Sequence, residues 1–234
     1  MITLFRRVRE KLIGEGKVRR YLIYAVGEIL LVVIGILLAL QINNWNESRK
    51  QDLAEQEFIE GVKYDLSQDR DYIQMIIQSA ESKFRLLDVL EREIFFLYEN
   101  DRPQLDSLVN TYFIAERTFY PISGSFESAV SGNELSKFEN KAFTSAVTKI
   151  YNSGYARLKD NALETDSRWF SNSKKYSRIR RTESFPEMNS EQMKVFLDDI
   201  YSYNMMLEYY INVLRDTIVM IDEVLNENQI KDRS

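Results

Sequence analysis

Hydrophobic residues follow two patterns along this chain: one unbroken apolar run near the N-terminus, and a helical repeat further on. The run extends from Tyr21 to Ile42, and Glu28 is its only charged residue. A helix of this length, at 1.5 Å per residue, is about 33 Å long and can cross a hydrocarbon core of about 30 Å. The run therefore predicts a transmembrane helix over residues 21–42.

A buried core helix and a cleavable signal peptide are the two alternatives for this run. Few soluble helices are apolar on every face over such a length. The apolar region of a signal peptide is shorter, about 7–15 residues, and ends at a small-x-small site. The end of this run, Leu38 to Ile42, contains no such site. We therefore interpret the run as an uncleaved anchor.

Between Ile59 and Leu97 the repeat has a period of seven and predicts a long amphipathic helix with a continuous, coiled-coil-like seam. The seam consists of Ile59, Leu66, Ile73, Ala80, Leu87 and Ile94, together with Val62, Asp69, Ile76, Lys83, Leu90 and Leu97. Only Asp69 and Lys83 are not apolar. The preceding heptad is acidic, so residues 43–58 are predicted to form a polar stalk. Pro103 predicts the end of the helix just before it.

A second seam occupies the end of the sequence. Its members are Met193, Ile200, Leu207, Leu214 and Ile221, with Phe196, Tyr203, Tyr210, Thr217 and Val224. Pro186 precedes this helix, and Asn189 with Gln192 predicts a reciprocal N-terminal cap. Two long helices with complementary seams are predicted to pack antiparallel in one bundle.

Shorter helices are predicted between the two seams, and no segment shows the alternation typical of a strand. They are Leu105–Arg117, residues 125–131 with Gly132 as C-cap, Phe138–Tyr151 ended by Gly154, and Tyr155 to about Arg180. The predicted fold class is all-α: one N-terminal transmembrane helix followed by a helical bundle with two long helices, the bundle occupying residues 59–234.

Charge predicts the orientation of the chain. Residues 1–20 carry seven Lys/Arg and two Glu, whereas residues 43–234 carry a net charge of −9 within a total of −5. Positive flanks stay in the cytoplasm, so we expect a basic cytoplasmic arm and an extracytoplasmic domain. Tyr21, Tyr24 and Trp45 are candidate anchors at the two membrane interfaces. The acidic domain is not expected to bind nucleic acid.

Glu28, Gly35 and Ala39 fall on one face of the predicted membrane helix, within about 20° of one another. Gly35 and Ala39 form a small-x-x-x-small pair, which lets two helices approach closely. This face is therefore a candidate packing surface for a second membrane helix, for example from another copy. The alternative is that small residues are common in such spans and that Glu28 reaches toward the headgroups.

Candidate chemistry is sparse. The chain has no histidine and no cysteine, which excludes His-based triads, thiolate nucleophiles and the usual zinc sites. Acidic pairs (Asp65 with Asp69, Asp69 with Asp71, Asp198 with Asp199) and serines near lysines (Ser171, Ser173, Lys174, Lys175) fit no motif, and we interpret the acids as solvated faces. A basic cluster contains Lys174, Lys175, Arg178, Arg180 and Arg181. We expect no enzyme, no cofactor and no metal site.

The run from Gly27 to Glu47, which ends Gln41-Ile42-Asn43-Asn44-Trp45-Asn46-Glu47, resembles the opening of an uncharacterised bacterial family, domain-of-unknown-function family 6090. The turn Ser131-Gly132-Asn133-Glu134-Leu135 is also similar to that family. The resemblance implies a Bacteroidota-type inner-membrane protein with a periplasmic domain. It implies no activity.

Two functions of different kinds fit these features. The first is a membrane-tethered interaction or scaffold module that binds another envelope protein or a second copy of itself. The alternative is a ligand-sensing bundle that signals through its membrane helix to a separate partner.

Overall fold

The structure is a computed structural model that describes residues 18–114 and 118–231. The side chains of residues 18, 20, 21 and 227–231 lie outside this description, as does most of the predicted basic arm. Of the described residues, 87% are helical and none lies in a strand. This confirms the all-α prediction.

Seven α-helices make up the described chain. They are α1 (Val18–Asn100), α2 (Arg102–Tyr112), α3 (Gly124–Ser131), α4 (Lys141–Lys149), α5 (Tyr155–Lys175), α6 (Ser177–Thr182) and α7 (Ser190–Lys231). A five-residue π-helical segment, Ile150–Gly154, joins α4 to α5. The chain forms two compact units, one ending at Glu55 and the other beginning at Gln56.

The first unit contains the apolar run. Its best 18-residue window has a mean hydropathy of 2.6, and none of that window is buried. Within the described chain, α1 is the one helix that is long and apolar enough to cross a membrane.

The second unit buries both predicted seams. Every seam residue of α1 except Ile59 is buried, and so is every seam residue of α7. Arg70 pairs with Asp222 at 2.5 Å, and Glu81 pairs with Arg215 at 3.0 Å. The later residue of α1 pairs with the earlier residue of α7, so the two helices are antiparallel, as predicted.

Polar side chains cap the starts of two helices, and the cap of α7 is the one that the sequence predicts. The Asp101 carboxylate accepts a hydrogen bond from the Gln104 backbone N–H at 3.1 Å and caps α2. At the start of α7, the side chains of Asn189 and Gln192 each accept the other residue's backbone N–H at 2.9 Å. These bonds satisfy N–H groups that the first turn of a helix leaves without partners.

The predicted end of α2 is wrong, whereas α3 ends at Ser131 with Gly132 as its C-cap, as predicted. Helix α2 ends at Tyr112 rather than Arg117, and the carbonyls of Tyr112 and Ile114 accept hydrogen bonds from the Lys83 ammonium. Gly132 caps α3 with ordinary helical φ, and the left-handed residue is Asn133, at φ 51°. Asparagine tolerates this conformation because its short polar side chain compensates locally.

Gly154 does not end a helix, contrary to the sequence prediction. Its φ of −60° and ψ of −58° are helical, and the chain continues from the π-helical segment directly into α5. Gly154 is buried, and a Cβ there would lie 3.7 Å from Met220 and 3.9 Å from Thr217 of α7. Packing against α7 therefore overrides the low helix propensity of glycine.

Aromatic rings fill the core between α5, α6 and α7. Trp169 lies 5.8 Å from Phe113 and 5.1 Å from Tyr203, measured between ring centroids. Phe196 lies 4.9 Å from Tyr176 and 5.1 Å from Phe185. Phe113, the first residue after α2, therefore packs within this aromatic core.

Candidate functional site

The connection between α2 and α3, residues 113–123, has no regular secondary structure where it is described. We call it the strap. Irregular segments cannot pair all their own backbone groups, so a strap against the core needs partners from elsewhere. Side chains of α1, α7 and the π-helical segment supply them.

Lys83 of α1 holds the first end of the strap. The side chain is 2% exposed, and its ammonium donates hydrogen bonds to the carbonyls of Tyr112 and, at 2.8 Å, Ile114. The same nitrogen lies 4.2 Å from the centre of the Trp169 ring. A cation over an aromatic face is stabilised by the ring quadrupole. Lys83 therefore binds the last carbonyl of α2 and a carbonyl of the strap from inside the bundle.

Two carboxylates of α1 hold the other end. Asp69, which is 1% exposed, accepts a hydrogen bond from the Ile122 backbone N–H at 3.0 Å and from the Tyr155 hydroxyl at 2.7 Å. Asp65, one turn earlier, accepts from the Ser125 backbone N–H at 3.2 Å. The two acids therefore fix the end of the strap and the start of α3.

Burial shifts the acid–base properties of this cluster. Desolvation raises the pKa of Asp69 to about 6; the hydrogen bonds from Tyr155 and Ile122 act in the opposite direction, and the charge of Asp65 adds to the rise. Desolvation likewise raises the pKa of Tyr151 and of Tyr155, with the negative charge of Asp69 as the next cause. Both tyrosines therefore remain protonated donors at any physiological pH.

The middle of the strap is also held by side chains. The Phe119 N–H donates to the Tyr210 hydroxyl at 2.8 Å, and the Tyr151 hydroxyl donates to the Ile122 carbonyl at 2.9 Å. The Thr118 hydroxyl donates to Asp166 at 3.2 Å, and desolvation raises the pKa of that carboxyl. The cavity beside Thr118 and Asp166 has a volume of about 10 Å³. It is no larger than one water molecule.

The outer face of the strap is apolar where it is described. Ile114 is 63% exposed, Tyr120 is 73% exposed, and Ile122 is partly exposed. The strap therefore binds the bundle through its backbone and turns apolar side chains to the outside. Loops held on a rigid scaffold commonly carry binding functions.

The residues selected from the sequence for the membrane helix lie on the other unit. Glu28, Gly35 and Ala39 are all exposed, and a Cβ built on Gly35 would meet nothing within 4 Å. Tyr24 and Trp45 are exposed as well. The side chain of Tyr21 lies outside the description. Their roles in packing and anchoring stay predictions.

The candidate acids and bases of the second unit differ in burial and in their partners. Asp65 and Asp69 are buried, so their interpretation as a solvated face is wrong. Asp199 binds the Tyr176 hydroxyl and pairs with Lys175 at 2.5 Å. The other members of the basic cluster, Lys174, Arg178, Arg180 and Arg181, are exposed. The buried Ser173 hydroxyl has no hydrogen-bond partner in the described chain.

The sequence contained a signal for the strap that the heptad analysis did not use. Asp69 and Lys83 are the two exceptions in the α1 seam, and both are as buried as their apolar neighbours. A charged residue in a buried seam needs polar partners. In this bundle those partners are backbone groups of the strap, which no local pattern identifies.

Comparison with known proteins gives one family and no functional relative. A model of a family of unknown function, DUF6090, matches residues 28–191, a span that contains the strap and the charged residues that hold it. No curated protein and no solved structure matches the chain significantly. Because the match covers well over half of the sequence, this chain belongs to the DUF6090 family of unknown function.

Proposed function

We propose that this protein is a membrane-anchored helical interaction module. The observation that carries the proposal is the complete exposure of the apolar window in α1. A soluble protein buries such a helix, because exposed apolar surface of this size is unfavourable in water. In a bilayer the same surface contacts lipid, and the intrahelical hydrogen bonds satisfy the backbone.

The orientation in this proposal places residues 1–20 in the cytoplasm and residues 43–234 in the periplasm, with the anchor in the inner membrane. The excess of Lys/Arg before the run supports this direction. The exposed rings of Tyr24 and Trp45 suit the two membrane–water interfaces.

The proposed partner within the membrane is a second copy of the same helix. Glu28, Gly35 and Ala39 share one face, and Gly35 leaves open space where a neighbouring backbone can approach. In hydrocarbon, a carboxyl such as that of Glu28 is favoured when it faces protein rather than lipid. These features support self-association through this face, and binding of another envelope protein is the alternative occupant.

Replacing Gly35 with leucine tests this proposal. The larger side chain holds the two backbones apart, so we expect self-association in a membrane two-hybrid assay to fall several-fold. Gly27→Leu is the matched control: Gly27 also has open space around it, but it lies about 100° from Glu28 around the helix. Equal signals from both variants and the unmodified chain would remove this face from the proposal.

We propose an interaction role rather than an enzymatic one for the bundle. Its buried charged residues, Lys83, Asp65 and Asp69, bind backbone groups of the strap and the start of α3. Because these charged groups are already bonded to the backbone, we assign them a structural role. Copurification of a stoichiometric partner from membranes in mild detergent supports the proposal; a partnerless monomer contradicts it.

A further inference from the structure

Asp69 has an unusual environment for a carboxylate. It lies in the apolar seam of α1, and among the described residues it forms no ion pair with lysine or arginine. Arg70, its neighbour in sequence, pairs with Asp222 of α7. The hydrogen bonds to Asp69 come from two neutral donors, the Ile122 N–H and the Tyr155 hydroxyl. A buried carboxylate with neutral donors and no counter-ion is costly when ionised.

We propose that Asp69 is a proton-controlled latch that holds the strap against the bundle when it is neutral and loosens the strap when it is ionised. The latch goes beyond the proposed anchoring function and does not depend on it. It rests on the contacts that Asp69 makes with Ile122 and Tyr155.

Among the groups that face Asp69, the charge of Asp65 raises its pKa, whereas the hydrogen bonds from Tyr155 and Ile122 lower it. Asp65 of α1 is a second carboxylate one turn away, and Glu127 of α3 adds negative charge near Tyr151. Tyr151 and Tyr155, from the π-helical segment and α5, remain neutral because burial raises the pKa of both. The two tyrosines are thus neutral, and Asp65 is the acid that opposes ionisation of Asp69.

The direction of the response follows from linkage. The pKa of Asp69 is about 6 when the latch is closed, and its ordinary value in water is 3.8. The closed state binds the proton more tightly, so closing is favoured at low pH and loses stability as pH rises from about 4 to about 6. Between about pH 5 and about pH 7.5, the closed-to-open ratio falls roughly tenfold.

Opening would also break the hydrogen bond from the Tyr151 hydroxyl to the Ile122 carbonyl, and it would release the segment that carries Tyr120 and Ile122 on its outer face. Thr118 and Phe119 precede this segment in the chain and keep their own hydrogen bonds to the bundle. Lys83 holds the end of the strap next to α2. The latch therefore controls the part of the strap next to α3, while the part next to α2 stays bound.

Hydrogen exchange of the full-length chain in detergent micelles tests the latch. The readout is the protection factor of peptides covering residues 118–126, corrected for the intrinsic effect of pH on chemical exchange. We expect protection to be about tenfold lower at about pH 7.5 than at about pH 5. Peptides from the middle of α7 report any global change. Equal protection of the strap peptides at both pH values would overturn the proposal.

Substitutions assign the response to Asp69. Asp69→Asn cannot ionise, so strap protection should no longer depend on pH. Tyr155→Phe removes a donor that lowers the pKa of Asp69, so the midpoint of the pH response should move to higher pH. Asp65→Asn removes a charge that raises the pKa of Asp69, so the midpoint should move to lower pH. Asp71→Asn, at an exposed position of α1, is the control and should change nothing. A wild-type pH response in Asp69→Asn, or unmoved midpoints in both other variants, would also overturn the proposal.

Discussion

At the scale of single residues, the chain places charged side chains inside α1 and engages them with the backbone of the strap. Lys83 donates to carbonyls at one end, and Asp69 accepts an N–H at the other. Burying an unpaired charge costs several kcal/mol, and hydrogen bonds to backbone groups reduce that cost. The two residues interrupt an apolar seam, yet the strap depends on them for its position.

The first prediction concerns Lys83. Lys83→Met restores the heptad, so the seam pattern alone predicts a more stable protein. The structure predicts the reverse, because the carbonyls of Tyr112 and Ile114 lose their donor inside the bundle. We expect the free energy of unfolding to fall by about 2–3 kcal/mol. Chemical denaturation followed by circular dichroism measures it.

Lys159→Met is the control for this experiment, since Lys159 is exposed on α5. Its effect should stay within about 0.5 kcal/mol. A Lys83→Met protein as stable as the unmodified chain would show that the strap does not need the ammonium group.

At the scale of helices, Gly61 is the one glycine in the seam region of α1, and the close approach of α3 to α1 explains it. A Cβ on Gly61 would lie 2.7 Å from the Ser125 hydroxyl oxygen and 3.2 Å from the Ser125 Cβ. Gly61 therefore lets the start of α3 approach α1, where Asp65 binds the Ser125 N–H.

The second prediction tests this approach. In an open helix Gly→Ala raises stability by about 1 kcal/mol. Gly61→Ala should instead lower the free energy of unfolding by about 1 kcal/mol, because the new methyl group displaces Ser125. In a double-mutant cycle, Ser125→Gly should relieve the cost of Gly61→Ala. Strictly additive effects would contradict the steric explanation.

The third prediction concerns Gly154, whose backbone is helical and whose Cβ position has only ordinary contacts. Gly154→Ala should raise the free energy of unfolding by up to about 1 kcal/mol, because alanine has the higher helix propensity. Thermal unfolding of the variant measures the change. Destabilisation would mean that the π-helical segment requires glycine.

Sequence reasoning succeeded where the pattern is local or strictly periodic. The seams of α1 and α7 and the cap formed by Asn189 and Gln192 each depend on residues close together in the chain. It failed at the end of α2 because Lys83, some 30 residues earlier, supplies the partner there. It failed at Gly154 because α7 packs against that position. The candidate strap site depends on such distant contacts throughout. The sequence therefore shows only Asp69 and Lys83, the two positions of the α1 seam that are not apolar.

At the scale of the whole molecule, the chain combines a unit whose apolar residues are exposed with a unit whose apolar residues are buried. Water favours the second arrangement and lipid favours the first. Membership of the DUF6090 family assigns no activity to either unit. The proposal that the chain is anchored in a membrane, with its acidic bundle on the far side, accounts for both units and for the basic residues before the run.

The absence of cysteine from the sequence permits a direct test of this proposal. Single cysteines are introduced at Thr3, before the run, and at the exposed Glu164 of α5, and spheroplasts are treated with a membrane-impermeant maleimide. The account predicts labelling of Glu164→Cys and no labelling of Thr3→Cys until the membrane is lysed. Labelling of Thr3→Cys alone, or recovery of the protein in the soluble fraction, would contradict it.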